Sequence, residues 1–159
     1  MLQPPLDMKE EWTRGEYTIC TDPERLDVVV IHEFLTESYW ASGVPFNVVK
    51  RSIEQSLAFG LYKGHRQIGF ARVITDSATF AYLADVFVLD AFHGEGLGKW
   101  LIEVVMSHPD LAGLRRWMLA TRDAHGLYRK SGFTELRQPE RWMEKHDPNV
   151  YAGPDTPGE

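Results

Sequence analysis

The sequence predicts one α/β domain, in which strand-like and helix-like segments alternate around a single core. The chain has 159 residues, of which 43% are hydrophobic, and these values suit one compact domain with a continuous core. Apolar runs bounded by turn residues alternate with segments whose apolar residues recur at helical spacing. One such run, which ends near Val88, leads through alternating glycines directly into an amphipathic helix, an order typical of an anion site.

Elements in the first half of the chain follow from periodicity and turn residues. Asp22 and Pro23 suit the start of a helix, because aspartate caps free N–H groups and proline is pre-shaped for the first turn. Residues 41–45 contain glycine and proline and end that helix, and Gly64 marks a hairpin. The predicted elements are a strand over 16–21, helices over 25–39 and 47–57, and strands over 58–63 and 67–75.

The second half continues the alternation. Apolar residues after the glycines recur at helical spacing, so one face of this helix is predicted to pack on the sheet and hold the glycine loop rigidly. These residues are Leu97, Leu101, Val104 and Val105. The predicted elements are strands over 79–89, 116–121, 133–136 and 141–144, and helices over 97–107 and 124–130.

The terminal segments, the single cysteine, the absence of long apolar runs and the net charge exclude several classes of protein. Residues 1–13 and 147–159 lack clear periodicity and are interpreted as an extension and a flexible tail around a domain of residues 14–146. The one cysteine, Cys20, excludes an internal disulfide. Because no apolar run is long enough to span a membrane and no signal-peptide layout is present, a cytoplasmic location is predicted. The net charge of −6, without a basic cluster, argues against nucleic acid and favours a cationic small substrate.

The glycine loop is compared with three phosphate-binding designs. The dinucleotide fingerprint needs a third glycine where Lys99 stands. The nucleotide P-loop needs four residues between its first glycine and Gly-Lys, but Gly94 and Gly98 enclose three, and Trp100 replaces the magnesium-binding Ser or Thr. The remaining design is a glycine turn whose N–H groups, with the helix dipole behind them, bind a phosphate or pyrophosphate. The simpler alternative is a tight strand-to-helix turn.

Two motifs resemble signatures of the GNAT superfamily of acyl-CoA-dependent N-acetyltransferases. The loop is similar to (Arg/Gln)-x-x-Gly-x-(Gly/Ala), with Gly96 and Gly98 at the small positions and His93 in place of Arg or Gln. A downstream block is similar to Asn-x-x-Ala-x-x-Leu-Tyr-x-Lys-x-Gly-Phe, with Thr121 in place of Asn. Its matching residues are Ala124, Leu127, Tyr128, Lys130, Gly132 and Phe133. The resemblance implies a central mixed sheet flanked by helices on both sides.

The resemblance also implies acetyl-CoA as the acyl donor. The strand before the loop bulges in this family and frees backbone N–H groups, here at Phe87 and Val88, for the pantetheine and the acetyl carbonyl. Thr121 and Lys130 match positions of the downstream block. The implied phosphate-loop contacts are His93, Gly94, Glu95, Gly96, Leu97, Gly98 and Lys99.

Tyr128 and Asp85 are the candidate catalytic residues. Tyr128 matches the family tyrosine that protonates the departing thiolate, and the reference pKa values of Tyr and Cys differ by only about 1.5 units. Asp85 stands in an otherwise apolar strand, where an unpaired carboxylate would be costly. Two interpretations of Asp85 remain open: an ion pair with Arg72, or a group that holds the amine or takes its proton through water.

The acceptor site is predicted around Tyr39 and Trp40, where aromatic residues mixed with Ser and Gly suit an apolar or cationic amine. The same rings would also suit a cap on the core. Arg72 and Tyr82 are the further substrate-binding candidates. No metal is predicted, because the histidines show no ligand spacing and there are no paired cysteines.

The sequence thus predicts transfer of an acetyl group from acetyl-CoA to a primary amine of a small molecule by direct attack. One alternative is a non-catalytic acyl-CoA-binding or sensing module. Another keeps the chemistry but uses a peptide or protein N-terminus, or a longer acyl chain. The assembly is left open, with a homodimer as one possibility.

Overall fold

A single mixed sheet organises the chain. The computed structural model describes residues 9–152. Its strands are β1 (Glu11–Arg14), β2 (Tyr17–Cys20), β3 (Leu57–Lys63), β4 (Arg66–Thr75), β5 (Phe80–Val88) and β6 (Arg116–Met118). Its α-helices are α1 (Val28–Thr36), α2 (Phe46–Glu54), α3 (Leu97–Ser107) and α4 (His125–Arg129).

The strands lie side by side in chain order, from β1 to β6. Neighbours from β1 to β5 are antiparallel, whereas β5 and β6 are parallel. A parallel neighbour requires a crossover, and α3 supplies it between β5 and β6. The predicted mixed sheet flanked by helices is therefore confirmed.

Each face of the sheet carries its own apolar cluster. One face packs against α3, with fully buried residues such as Phe59 and Leu61 on the sheet and Leu101 and Val105 on the helix. The other face packs against α1 and α2 and buries Phe70 and Phe87 together with Ile31, Leu35, Val49 and Ile53. Because helices cover both faces, the ends of the central strands are the part of the sheet left open for a ligand.

The first helix begins later than the sequence predicts. Asp22 accepts a hydrogen bond from the N–H of Glu24 (3.0 Å), but it caps only a single 3₁₀ turn, Pro23–Arg25. Leu26 is extended and ends that turn. Asp27 then caps α1 by accepting from the N–H of Val30 (3.2 Å). The sequence offers two caps in succession, and the break between them depends on backbone angles that periodicity does not reveal.

The edges of the sheet also differ from expectation. β1 forms at Glu11–Arg14, where the sequence shows no strand pattern, because β2 offers it a partner. The strands predicted over 133–136 and 141–144 are wrong: no strand follows β6 in the described part of the chain. A strand needs a neighbour to pair with, and these segments are mostly exposed, Met143 to 97%. Residues 1–8 and 153–159 of the predicted extension and tail lie outside the described residues.

A substitution at Gly69 in β4 tests how closely the central strands pack. A Cβ at this position would lie 2.9 Å from the carbonyl oxygen of Phe87, which is backbone and cannot turn aside. We expect Gly69→Ala to lower the free energy of unfolding by about 1–3 kcal/mol. Gly126→Ala is the matched control, because a Cβ there meets nothing within 4 Å and lies in α4. Urea denaturation should separate the two variants; equal stability would contradict the close approach.

Candidate active site

A cleft opens where β5 and β6 part. The two strands are in register only at Phe80↔Arg116, Ala81↔Trp117 and Tyr82↔Met118. β6 ends there, whereas β5 continues to Val88. The edge of β5 that faces β6 therefore carries unpaired backbone groups between Leu83 and Val88. Such groups need hydrogen-bond partners, and an extended ligand in the cleft can supply them.

A bulge in β5 shapes this edge. Phe70 pairs with Phe87 and Arg72 with Ala84, so Asp85 and Val86 together lie opposite Ala71. Asp85 has a φ of +57°, a left-handed conformation that is uncommon for any residue other than glycine. This two-against-one arrangement is a β-bulge, and bulges bend a strand and redirect its side chains.

The backbone of Val88 points into the cleft. The N–H of Leu89 donates to the carbonyl of Ile68 on β4 (2.8 Å). Successive N–H groups of a strand point to opposite edges, so the N–H of Val88 faces away from β4, toward the cleft. Nε2 of His93 donates to the carbonyl oxygen of Val88 (2.6 Å) and holds the end of the strand. A backbone donor thus lies at the open end of β5.

The glycine loop has the geometry of an anion cradle. Gly94 and Gly96 have φ values of +85° and +76°, and Gly96 is the left-handed N-cap of α3. A Cβ on Gly94, Gly96 or Gly98 would meet no atom within 4 Å, so the space above the loop is open. The first N–H groups of α3 have no acceptor within the helix, and its dipole adds a positive field. The arrangement suits a phosphate group.

A side chain from β2 anchors this loop. The hydroxyl of Tyr17 donates a hydrogen bond to the carboxylate of Glu95. That hydrogen bond raises the pKa of Tyr17 to about 12, so the phenol remains protonated at neutral pH. The carboxylate of Glu95 is thereby held toward β2. This matters because the N–H groups of the same loop suit an anion, which a nearby negative charge would repel.

Tyr128 lies on α4, the helix that follows β6 in the chain. It is 9% exposed, packs edge-to-face on Phe133 with ring centroids 5.9 Å apart, and joins the same apolar cluster as Val88. Burial, and to a smaller extent Tyr39, raises the pKa of Tyr128 to about 12. The phenol therefore carries its proton at neutral pH. Tyr128 also lines a cavity of about 490 Å³ that runs along residues 117–121.

Asp85 is part of a hydrogen-bonded ion pair. Its Oδ2 accepts from Nε of Arg72 (2.9 Å), and its Oδ1 accepts from Nε1 of Trp40 (2.9 Å). Arg72 also donates to Oγ of Ser56 (3.1 Å). The side chains of Arg72 and Asp85 are 15% and 11% exposed, so the pair is largely buried. The ion pair that the sequence left as one of two interpretations is present.

A second, larger cavity of about 890 Å³ lies beside the cleft. It is bounded by one face of α1, the residues that follow that helix, the first residues of β4 and the end of β5. Aromatic side chains and charges of both signs line it: Phe34, Tyr39 and Trp40, with Glu33, Glu37, Arg66 and Arg122. No Glu–Arg pair among these four charged residues forms an ion pair in the part of the chain that the structure describes. The cavity can accommodate a small polar molecule.

Comparisons with known proteins agree with this geometry. The family model described as an acetyltransferase (GNAT) domain matches residues 54–135, which include the bulged strand, the glycine loop and Tyr128. The chain belongs to the GNAT acetyltransferase family. A Gibberella zeae protein named “Putative acetyltransferase FG08082” is 33% identical, and the match covers 81% of this chain and 85% of that protein.

Solved structures show the same GNAT fold. A crystal structure from Xanthomonas campestris pv. campestris, titled as a putative acetyltransferase of the GNAT family, is 48% identical with a TM-score of 0.84. That match covers 86% of this chain and 97% of the other. A GNAT acetyltransferase from Elizabethkingia anophelis with acetyl-CoA bound is 13% identical with a TM-score of 0.60, covering 82% of this chain and 88% of that one.

Only some of the predicted site residues of this GNAT protein line one of the two cavities. The hydroxyl oxygen of Thr121 already has a partner close by in the chain: it accepts the N–H of Ala124 (3.1 Å) at the start of α4. Lys99 lies near Glu103 one helical turn on (3.9 Å), and Lys130 is exposed. Of the four predicted acceptor residues, Tyr39 and Trp40 line the larger cavity, whereas Arg72 and Tyr82 do not. Tyr82 instead pairs with Met118, where the strands part.

Sequence reasoning missed the charged lining of the larger cavity. Val30, Glu33 and Phe34 recur at helical spacing on one face of α1, and Glu37 follows at the end of that helix. The spacing is visible in the sequence, but the sequence does not show what this face of the helix lies against. The Tyr17–Glu95 contact was also missed, because its partners are 78 residues apart in the chain.

Residues 9–152 contain neither a metal-ligand cluster nor a membrane-spanning helix. No group of three or more His, Cys, Asp or Glu residues there is arranged to hold a metal ion. Within the same residues, no helix is both long and apolar enough to cross a membrane.

Asp85→Asn tests the ion pair of this GNAT protein. The variant keeps size and polarity but leaves the guanidinium of Arg72 without its counter-charge. Breaking a buried pair costs about 3–5 kcal/mol, so we expect a clearly lower melting temperature. Asp90→Asn is the control, because the side chain of Asp90 is 96% exposed and should be nearly silent. If Asp85→Asn melted like the parent protein, the pair would contribute no stability.

Proposed function

We propose that this protein transfers an acetyl group from acetyl-CoA to a primary amine of a small molecule by direct attack. The observation that carries the proposal is the cleft between β5 and β6, with the N–H of Val88 facing it and the glycine loop at the end of the same strand. Membership of the GNAT family, and the acetyl-CoA bound to the Elizabethkingia structure, support this donor.

Acetyl-CoA would be held by backbone more than by side chains. The N–H groups of the loop from His93 to Lys99 would bind its phosphates, and the edge of β5 that faces the cleft would pair with its extended arm. The predicted contact through the backbone of Phe87 is not available, because Phe87 pairs with Phe70 on β4. His93 would act indirectly, because its ring is bonded to the carbonyl of Val88. Thr121 and Lys130 would contribute from the opposite wall.

Starting from a neutral amine, the reaction transfers one acyl group and involves three proton transfers. The amine nitrogen attacks the thioester carbon, and the N–H of Val88 stabilises the negative charge that develops on the carbonyl oxygen. The carbon–sulfur bond then breaks, and the thiolate takes a proton from the hydroxyl of Tyr128. The new amide loses its extra proton to water, and the phenolate regains one from solvent. Positioning of amine and thioester supplies much of the rate enhancement.

The acceptor would enter from the larger cavity. Tyr39 and Trp40 line it, and its volume of about 890 Å³ suits a small molecule. Leu89, which follows the oxyanion donor Val88, lines the same cavity, so an acceptor there would approach the thioester carbon. The carboxylates of Glu33 and Glu37 would bind an amine that arrives as a cation, and this amine would lose a proton to water before it attacks.

Gly96→Val tests the phosphate cradle. A branched side chain would occupy the open space above the loop, so we expect acetyl-CoA affinity to fall at least about tenfold by calorimetry. Gly113→Val is a matched control, because Gly113 has nearly the same φ, +74°, and the same open surroundings but lies in the turn before β6. Both variants carry similar backbone strain, so a specific loss in Gly96→Val reports the cradle. Equal affinities would refute this assignment.

Tyr128→Phe tests the acid. Since the phenol is protonated at neutral pH, removing its hydroxyl should lower kcat by about 10²-fold or more, with little change in acetyl-CoA affinity. Thiol release from acetyl-CoA with a panel of primary amines measures the rate. Tyr62→Phe is the control, because Tyr62 is also buried and its hydroxyl has no hydrogen-bond partner among the described residues. A parent-like rate in Tyr128→Phe would reduce Tyr128 to a packing residue.

A further inference from the structure

Two adjacent residues connect the two walls of the cleft. Tyr39 and Trp40 follow α1 and lie in neither strand. The hydroxyl oxygen of Tyr39 accepts the backbone N–H of Arg122, which follows β6 (3.1 Å). Nε1 of Trp40 donates to Oδ1 of Asp85 in β5 (2.9 Å). We call this pair the Tyr39–Trp40 bridge.

The contacts on the β5 side continue into the core of the sheet. Trp40 bonds to Asp85, Asp85 pairs with Arg72 on β4, and Arg72 donates to Ser56 at the end of α2. Trp40 also lies near Phe34 of α1, with ring centroids 6.2 Å apart. One end of the bridge is therefore attached to a largely buried network.

The contacts on the β6 side lie near the proposed acid. The guanidinium of Arg122 stacks on the ring of Tyr39 at 4.0 Å, in addition to the backbone hydrogen bond. Arg122 lies between Thr121 and α4, the helix that carries Tyr128. Tyr39 and Arg122 both line the larger cavity.

The bridge is held by directed contacts and not by burial. Tyr39 and Trp40 are 50% and 42% exposed, so burial contributes little to holding them in place. Neighbouring Cα atoms are about 3.8 Å apart, so a single peptide unit links the two walls. Any change in the separation of the walls must move or break one of the two hydrogen bonds.

We propose that the Tyr39–Trp40 bridge couples the thioester cleft to the acceptor cavity, with Tyr39, Trp40 and Asp85 as positioning residues. The inference rests on the proposed function. The bridge holds the wall of the acceptor cavity at a set distance from β5 and from the loop before α4, and so sets the approach of the amine. Asp85 acts through Trp40 and does not take the proton of the amine.

Kinetics of two conservative variants test the coupling. Tyr39→Phe removes the acceptor oxygen but keeps a ring under Arg122, and Trp40→Phe removes the donor but keeps an aromatic side chain. With an amine that the parent protein accepts, both should lower kcat/KM for the amine about tenfold or more. Acetyl-CoA affinity should stay within about twofold of the parent value, because neither side chain belongs to the phosphate cradle.

Two comparisons separate positioning from simple stability. Trp142→Phe replaces an exposed tryptophan stacked under Arg116, away from the cleft, and should match the parent protein. Trp40→Phe added to Asp85→Ala should cause no further loss of kcat/KM, because removing the carboxylate already removes the acceptor of the Trp40 hydrogen bond. Additive losses, or parent-like kcat/KM in Tyr39→Phe and Trp40→Phe, would overturn the proposal.

Hydrogen exchange, which needs no enzymatic turnover, tests the Tyr39–Trp40 bridge independently of the proposed function. In Tyr39→Phe, the amide of Arg122 loses its acceptor and should exchange its hydrogen about three to ten times faster by NMR. Trp142→Phe should leave that rate unchanged. A parent protein that binds no acetyl-CoA would refute the proposed function, while faster exchange of the Arg122 amide would still support the bridge. Unchanged exchange in Tyr39→Phe would show that the bridge is absent in solution.

Discussion

The parting of two parallel strands governs the rest of the site. β5 and β6 share only the register pairs from Phe80↔Arg116 to Tyr82↔Met118, so the last residues of β5 keep unpaired backbone groups on one edge. Buried backbone donors and acceptors must find partners, and these face an open cleft. The glycine loop, the N–H of Val88 and Tyr128 are all arranged around that opening. Without the parting, β5 would be an ordinary inner strand.

The bulge at Asp85 explains how a carboxylate occupies an apolar strand. Its left-handed backbone turns the side chain toward Arg72 and Trp40, which satisfy both oxygens. The pair is therefore compatible with burial, at the cost of an uncommon φ. Strain of this kind commonly lies next to functional sites, because the surrounding structure holds it in place. In this GNAT protein the strained residue links the sheet to the loop that borders the acceptor cavity.

Much of the fold and part of the site were accessible from the sequence. The helix over 97–107 was predicted with its exact bounds, because its apolar face and the preceding glycines give unambiguous signals. The strands over 58–63 and 67–75 were off by one residue at their first ends only. The late start of α1 and the absence of strands after β6 were not predictable, since both depend on backbone angles or on a pairing partner. The same holds for the charges on α1, whose orientation is a tertiary property.

The sequence by itself determined the α/β alternation, the glycine loop and the family motif around Tyr128. These follow from local chemistry: glycine permits left-handed turns, apolar spacing sets helix and strand, and a motif keeps its residues close along the chain. Only the tertiary structure decided that Asp85 binds Arg72 and Trp40, that Tyr17 reaches Glu95, and that the loop after α1 joins both walls of the cleft. Each of these contacts connects residues more than ten positions apart, and such contacts exist only once the sheet has brought its strands together.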